Sequence, residues 1–245
     1  MFRSDIVINK EYKKVYFIHI PKTSGSTFVH MTSKKPIFHN CQHTFNVNNA
    51  SRTTHNNRGH KDWASGTFPK ASYPIKEHIK ISIVRNPFDL LCSYYHQGVE
   101  YRNQPAYTHS GWGAVNYTHR FTSFKQFIQA YCDERFAWHV PLLHKHLFAQ
   151  LFDENGLCVC DVVIKFEELY KDNTVKQLQK LGVHCNQTTK RNVSTRKQKP
   201  YTQYYDQEMI DLVNRKCRKE LRDFRYNFHN TADNSPFIYP AGITM

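Results

Sequence analysis

The sequence predicts an α/β domain of three layers, a central parallel sheet flanked by helices, and three observations predict it. Short apolar-rich runs stand at 15–20 (VYFIHI), 79–84 (IKISIV) and 162–166 (VVIKF), the pattern of strands buried on both faces. Segments of helical periodicity separate these runs, and alternation of strand and helix calls for a parallel sheet covered on both sides. Finally, 245 residues that are 40% apolar can bury a substantial core as one domain, taken as 1–245.

In chain order, the strand at 15–20 enters a loop of small and hydroxylated residues, and a helix is expected from Gly25 to about Lys34. Residues 35–75 are polar, rich in Asn, His and Thr, and have little periodicity; they are expected to be irregular, with a short helix near 62–64. The strand at 79–84 is followed by Arg85-Asn86-Pro87 and an apolar-periodic stretch to about Gln97. Asn86 suits a helix N-cap, and Pro87 suits the first helical position, where its missing N–H costs nothing. The Tyr-, Gly- and Asn-rich segment 98–121 reads as a surface loop over something functional. Helices are expected at 124–132 and 142–152, then the strand at 162–166, a helix at about 173–181 and an amphipathic helix at 207–221.

No stretch of 18 apolar residues occurs, so no membrane span is expected. The N-terminal MFRSDIVINKEYKK carries charge where a signal peptide needs its apolar centre. A cytoplasmic or otherwise soluble chain is expected, with a Golgi-lumen or secreted location only if an anchor or signal is missing. The net charge of +14, from 34 basic and 20 acidic residues, suggests an anionic partner, with a dense run at 190–199 (KRNVSTRKQK). Charge alone does not choose among nucleotide, sulfated substrate and nucleic acid. Seven cysteines, an odd number, fit no closed disulfide framework. Cys158 and Cys160 flank one valine in an extended stretch, so they face one side at a spacing poor for a disulfide. The group His39, Cys41 and His43 lacks a second ligand pair, and no metal is expected. Sequons at Asn49, Asn116, Asn186 and Asn192 are weak evidence for secretion.

The chemistry concentrates in Pro21-Lys22-Thr23-Ser24-Gly25-Ser26-Thr27. A loop between strand and helix is a common anion site, because the helix N-terminus offers free N–H groups and partial positive charge. The order of residues is not that of the nucleotide-triphosphate loop, whose lysine comes last; here Lys22 comes first. The segment closely resembles the 5′-phosphosulfate loop of sulfotransferases that use 3′-phosphoadenosine 5′-phosphosulfate (PAPS), in a P-loop-like three-layer sandwich. Phe17-Ile18-His19-Ile20-Pro21-Lys22-Thr23 is similar to the branch holding the heparan sulfate 2-O- and 6-O-sulfotransferases and their bacterial and algal relatives. A second signature, Ile83-Val84-Arg85-Asn86-Pro87-Phe88-Asp89 with Ser93-Tyr94-Tyr95, resembles the family's 3′-phosphate site. Further matches lie at Val163 to Leu169 (VIKFEEL), at Asn192-Val193-Ser194 and at Tyr204-Tyr205-Asp206.

The resemblance implies that Lys22, Thr23, Ser24, Gly25, Ser26 and Thr27 form the phosphosulfate loop. Ser26 and Thr27 would bind the 5′-phosphate, Arg85 and Ser93 the 3′-phosphate. PAPS carries about four negative charges, so a cation at each phosphate and dense N–H donors are what such a site needs. Lys22 would meet the bridging oxygen where charge grows as the sulfur–oxygen bond breaks, a contribution of about 3–4 kcal/mol for one preorganised donor. The resemblance also puts a general base between the two phosphate sites. His60, in Gly59-His60-Lys61-Asp62-Trp63, is the first choice, with His55 and His43 behind it. Lys61 stands where the 6-O branch has a small residue, so that branch's acceptor does not carry over. The basic run would be a flap placing Ser194, Arg196 and Lys197 near the phosphates; the alternative is a solvated loop. The expected reaction is in-line sulfonate transfer to a hydroxyl of a glycan or small metabolite, leaving adenosine 3′,5′-bisphosphate (PAP) and requiring no metal. Neither a nucleic-acid partner nor a membrane span is expected. The rival readings are a basic nucleic-acid-binding protein and a nucleotide-binding module without turnover.

Overall fold

The computed structural model describes residues 14–18, 20, 22–32, 42–46, 49–55, 78–101, 121–133, 147–148, 151–152, 157–181, 183, 199–229 and 237–238. Its centre is the three expected strands, β1 (Lys14–Ile18), β4 (His78–Val84) and β5 (Val162–Lys165), paired parallel. Ile18 faces Ser82 across one pair and Val84 faces Lys165 across the other, so all three strands end at one edge. Helix α1 (Gly25–Thr32) follows β1, α2 (Pro87–Tyr101) follows β4, and α4 (Asp172–Lys180) follows β5. Helix α3 (Phe124–Cys132) lies between α2 and β5 in sequence.

Alternation along the strands divides the core in two. Phe17, Ile79, Ile81, Ile83, Val162 and Ile164 join Phe28 and Met31 of α1 with Val175 and Leu178 of α4 on one face. Ile18, Val84 and Val163 join the larger cluster with α2, α3 and the C-terminal helices on the other. The period of two sends neighbouring residues to opposite faces, and both faces are covered, so the strand sequences are apolar nearly throughout. Ser82, fully buried, avoids the cost of an unpaired hydroxyl by donating to the carbonyl of Ile18 at 2.7 Å.

Three local expectations need correction. Within the supposedly irregular segment, β2 (Gln42–Asn46) and β3 (Asn49–His55) form an antiparallel hairpin on the free side of β1, and β6 (Phe237–Ile238) adds antiparallel to β5. The sheet order is therefore β3-β2-β1-β4-β5-β6, a parallel centre with antiparallel flanks. The hairpin sequences QHTFN and NASRTTH lack the apolar alternation that announces a strand; pairing to an existing edge supplies what side chains do not. In the stretch expected to be helical at 142–152, Leu147 and Phe148 form a turn, and Phe152 pairs in an antiparallel bridge with Cys158. The single helix expected at 207–221 is two, α5 (Gln207–Lys216) and α6 (Arg218–Asp223), broken at Cys217 with φ −100° and ψ 20°. A buried Cys217 continues the apolar face through the break, so periodicity alone does not reveal it. The short helix expected near 62–64 lies outside the described residues.

Candidate functional site

Parallel pairing of β1 with β4 brings their following loops to one edge, the position at which open α/β sheets bind ligands. Lys22–Ser24 make the turn from β1 into α1. Lys22 (φ 66°) and Ser24 (φ 64°) are both left-handed and Thr23 between them is not. Such conformations cost on the order of 1–3 kcal/mol each for residues with a Cβ, and persist only where surroundings over-determine them. Left-handed residues set among right-handed ones are the backbone pattern from which anion-binding nests of N–H groups are built.

Several contacts hold the turn. Thr23 Oγ1 donates to Ile20 O at 2.8 Å, Arg85 Nη1 donates to Lys22 O at 2.9 Å, and Tyr170 Oη donates to Ser24 Oγ at 3.3 Å. Ser24 O accepts the N–H of Phe28 at 3.0 Å as α1 begins. Lys22 and Ser24 keep partial exposure, whereas Thr23 and Thr27 have none.

Arg85 leaves β4 at its carboxyl end and joins the two loops. Besides Lys22 O, its Nε donates to Asp89 Oδ2 at 2.8 Å, and its Nη2 lies 2.7 Å from the same oxygen. Its guanidinium carbon stands 4.3 Å from the centre of the Phe166 ring, close enough for a cation–π attraction. Asp89 sits in the first turn of α2, where the helix dipole favours its charge. Ser93 follows Asp89 by one turn on the same helix face and is 6% exposed.

The adjoining Asn86 is fully buried and fully committed. Its side-chain oxygen caps α2 by accepting the Phe88 N–H at 3.0 Å, and its Nδ2 donates to Asn227 O at 2.8 Å. Its own N–H donates to Glu167 Oε1 at 2.9 Å, and Tyr226 Oη donates to Glu167 Oε2 at 2.9 Å. Burial pushes the Glu167 carboxyl above its ordinary value, and these donors pull the other way. Buried Lys165, at the end of β5, donates to Arg225 O at 3.4 Å. The C-terminal segment thus closes on the ends of β4 and β5.

Of the residues expected from sequence, Lys22, Thr23 and Ser24 form the turn and Gly25 and Thr27 the start of α1, Arg85 bonds to the turn at Lys22 O, and Ser93 lies farther along α2. Ser26 is in the first turn of α1. Among the candidate bases, His43 pairs with Phe17 near the end of β1, and His55, the last residue of β3, pairs with Gln42. Both backbones are therefore at the edge where the loop emerges. His60, Ser194, Arg196 and Lys197 lie outside the described residues. Among the described residues no group of three or more His, Cys, Asp or Glu is placed to hold a metal ion, and no helix is long and apolar enough to cross a membrane.

The family model described as the sulfotransferase family matches residues 4–229. The chain belongs to the sulfotransferase family. A search of curated proteins and a search of solved structures each gave no significant match. The sulfotransferase carries supports that sequence reading did not assign: Asp89, Phe166 and Tyr170 around the loops, and Glu167 with Tyr226 beneath them. Asp89 was the most accessible of these, since a carboxylate four residues beyond an arginine at a helix start is a ready ion pair. Tyr170 and Tyr226 meet the site through distant chain segments, and no local signal marks them.

Proposed function

We propose that the sulfotransferase transfers the sulfonate of PAPS to an acceptor hydroxyl, within one domain spanning 1–245, and releases PAP. The observation that carries this reading is the Arg85–Lys22 carbonyl bond of 2.9 Å, which ties the two anion-binding segments into one frame. PAPS supplies an activated sulfonate and a second phosphate. Lys22 stabilises the oxygen that leaves sulfur, Ser24 and the N–H groups of the turn hold the phosphosulfate, and Thr23 and Gly25 shape that turn. Ser26 and Thr27 take the 5′-phosphate.

Arg85 and Ser93 take the 3′-phosphate. The guanidinium has five N–H groups; Nε and one on Nη2 face Asp89 and one on Nη1 meets Lys22 O, which leaves one N–H on each of Nη1 and Nη2 to offer. His60 accepts the acceptor's proton. It lies five positions beyond His55 at the loop's edge, a span of at most about 18 Å; His55 and His43 are the alternatives. Ser194, Arg196 and Lys197 close over the phosphates. The likeness of the loop to the heparan sulfate 2-O/6-O branch and the basic charge fit an acidic glycan acceptor, and a small hydroxylated metabolite fits the same chemistry.

Calorimetry tests the nucleotide assignment. PAP should bind far more tightly than AMP or ATP, and Arg85→Ala should remove most of that preference, because one phosphate loses its charged partner. Equal affinity for AMP and PAP in the unaltered protein would overturn the reading.

A further inference from the structure

The chain leaves β5 through a short helical turn, Phe166–Glu168, and the segment that follows reaches both candidate anion loops. Phe166 lays its ring 4.3 Å from the Arg85 guanidinium carbon, and Glu167 accepts the N–H of Asn86 at 2.9 Å. Tyr170 donates its Oη proton to Ser24 Oγ at 3.3 Å, across 146 positions of sequence. The rings of Phe166 and Tyr170 meet edge to face, with centres 6.4 Å apart, within the range of such pairs. A continuous line of contacts therefore runs from Arg85 through Phe166 and Tyr170 to Ser24.

Both partners of the Tyr170–Ser24 bond stand on fixed backbone. Beside Tyr170, Leu169 is fully buried and donates its N–H to Phe166 O at 3.2 Å, and Lys171 N donates to Glu168 O at 3.1 Å. Thr174 Oγ1 donates to the same Glu168 carbonyl at 2.7 Å. Ser24 has its left-handed backbone at φ 64°, and its carbonyl accepts Phe28 N–H at 3.0 Å. Those backbone bonds do not choose among the staggered positions of the Ser24 side chain. The Tyr170 bond does. A hydroxyl has two acceptor lone pairs and one proton, so a serine that receives a proton from Tyr170 keeps its own to give. Ser24 is partly exposed, as a donor to an incoming anion must be.

We propose that Tyr170 is a positioning residue, which holds the Ser24 hydroxyl in the orientation that donates to the 5′-phosphosulfate. This inference rests on the nucleotide reading and adds a residue that acts at one remove from the ligand. Two O–H donors in series, Tyr170 to Ser24 and Ser24 to the anion, polarise each other in the sense that strengthens the second. At 3.3 Å the first is longer than a strong O–H···O contact, so it supplies orientation more than strength. Setting one rotor before the ligand arrives removes part of the ordering cost of binding. The rival role for Tyr170 is packing against Phe166. Packing needs the ring and not the hydroxyl, and on that difference the two roles part.

Calorimetry on the whole chain with PAP and AMP tests the proposal. Tyr170→Phe keeps the ring and removes only the donor. PAP and AMP should each bind about 3–10-fold more weakly, the usual effect of one hydrogen bond, and the preference for PAP should be unchanged because Arg85 is untouched. Ser24→Ala should weaken both at least as much. Adding Tyr170→Phe to Ser24→Ala should weaken them no further, since the hydroxyl that Tyr170 orients is gone. Both changes fall on partly exposed side chains, and thermal melting checks that each variant is folded. An unaltered protein that prefers PAP, beside a Tyr170→Phe variant that binds it as tightly, would overturn this inference alone. So would losses that multiply in the double variant, as independent structural damage would. Equal affinity for AMP and PAP in the unaltered protein would instead overturn the nucleotide reading, and the positioning role with it.

Discussion

Strand β4 carries an ion pair at each end, and the two are built differently. At the carboxyl end Arg85 and Asp89 stand 2.7 Å apart with side chains 13% and 11% exposed. At the other end Lys80 and Asp161 stand 4.0 Å apart with side chains 29% and 35% exposed. The first cation is a planar fork fixed by a carboxylate, a loop carbonyl and an aromatic ring. The second is a point charge on a flexible stem in water's reach. Fixing a cation before the ligand arrives removes ordering cost from binding, which a phosphate site needs. A loose cation biases only its immediate surroundings. One strand thus provides a rigid edge suited to ligand chemistry and a soft edge whose cation is held only loosely.

The largest expected effects test whether chemistry belongs to the rigid edge. His60→Ala should lower turnover by about 10²–10⁴-fold, the usual share of a general base, and leave PAP affinity nearly unchanged. Lys22→Ala should lower turnover and also weaken nucleotide binding, since a lysine at the phosphosulfate meets ground state and transition state alike. Single-turnover rates with calorimetric affinities separate the two. Near-normal turnover in His60→Ala with a true acceptor would move the base to His55 or His43.

A smaller effect probes the rigidity itself. Asp89→Asn preserves volume but removes the charge that orients Arg85, and a hydrogen bond to a charged group is worth about 1.5–3 kcal/mol. PAP affinity should fall by about tenfold or more, with AMP affinity unchanged. Tighter PAP binding would instead mean that Asp89 competes with phosphate for Arg85, and that the carboxylate is an obstacle the ligand must displace.

These same residues mark how far the sequence could be read. The parallel centre was legible because β1, β4 and β5 are covered on both faces, so burial is written into runs such as Val162-Val163-Ile164. The two loops were legible because small residues after a strand, and Arg-Asn-Pro before a helix, have local physical reasons. The β2–β3 hairpin was not, since Thr44 and Thr53 pair by backbone at a sheet edge where side chains need not be apolar. Glu167 was visible only as part of a resemblance. Its bonds to Asn86 and Tyr226 join residues 81 and 59 positions apart, and no periodicity reports such a contact.

The smallest expected effect lies at the soft end of β4. Lys80→Met removes one exposed ion pair while keeping the stem, and pairs of that kind contribute about 0–1 kcal/mol, less in salt. The backbone bonds that hold the two segments survive the change, because Lys80 N–H still donates to Asp161 Oδ2 and Lys80 O still accepts from Asp161. Five residues at about 3.3 Å each put Lys80 roughly 16 Å from Arg85, beyond a Debye length of about 8 Å at physiological salt. Denaturant unfolding should therefore shift by less than about 0.5 kcal/mol, and PAP affinity should not change measurably. A loss of about 3 kcal/mol or more, the scale for breaking a buried pair, would show that Lys80 and Asp161 are held as firmly as Arg85 and Asp89. The contrast between the two ends of the strand would then fail.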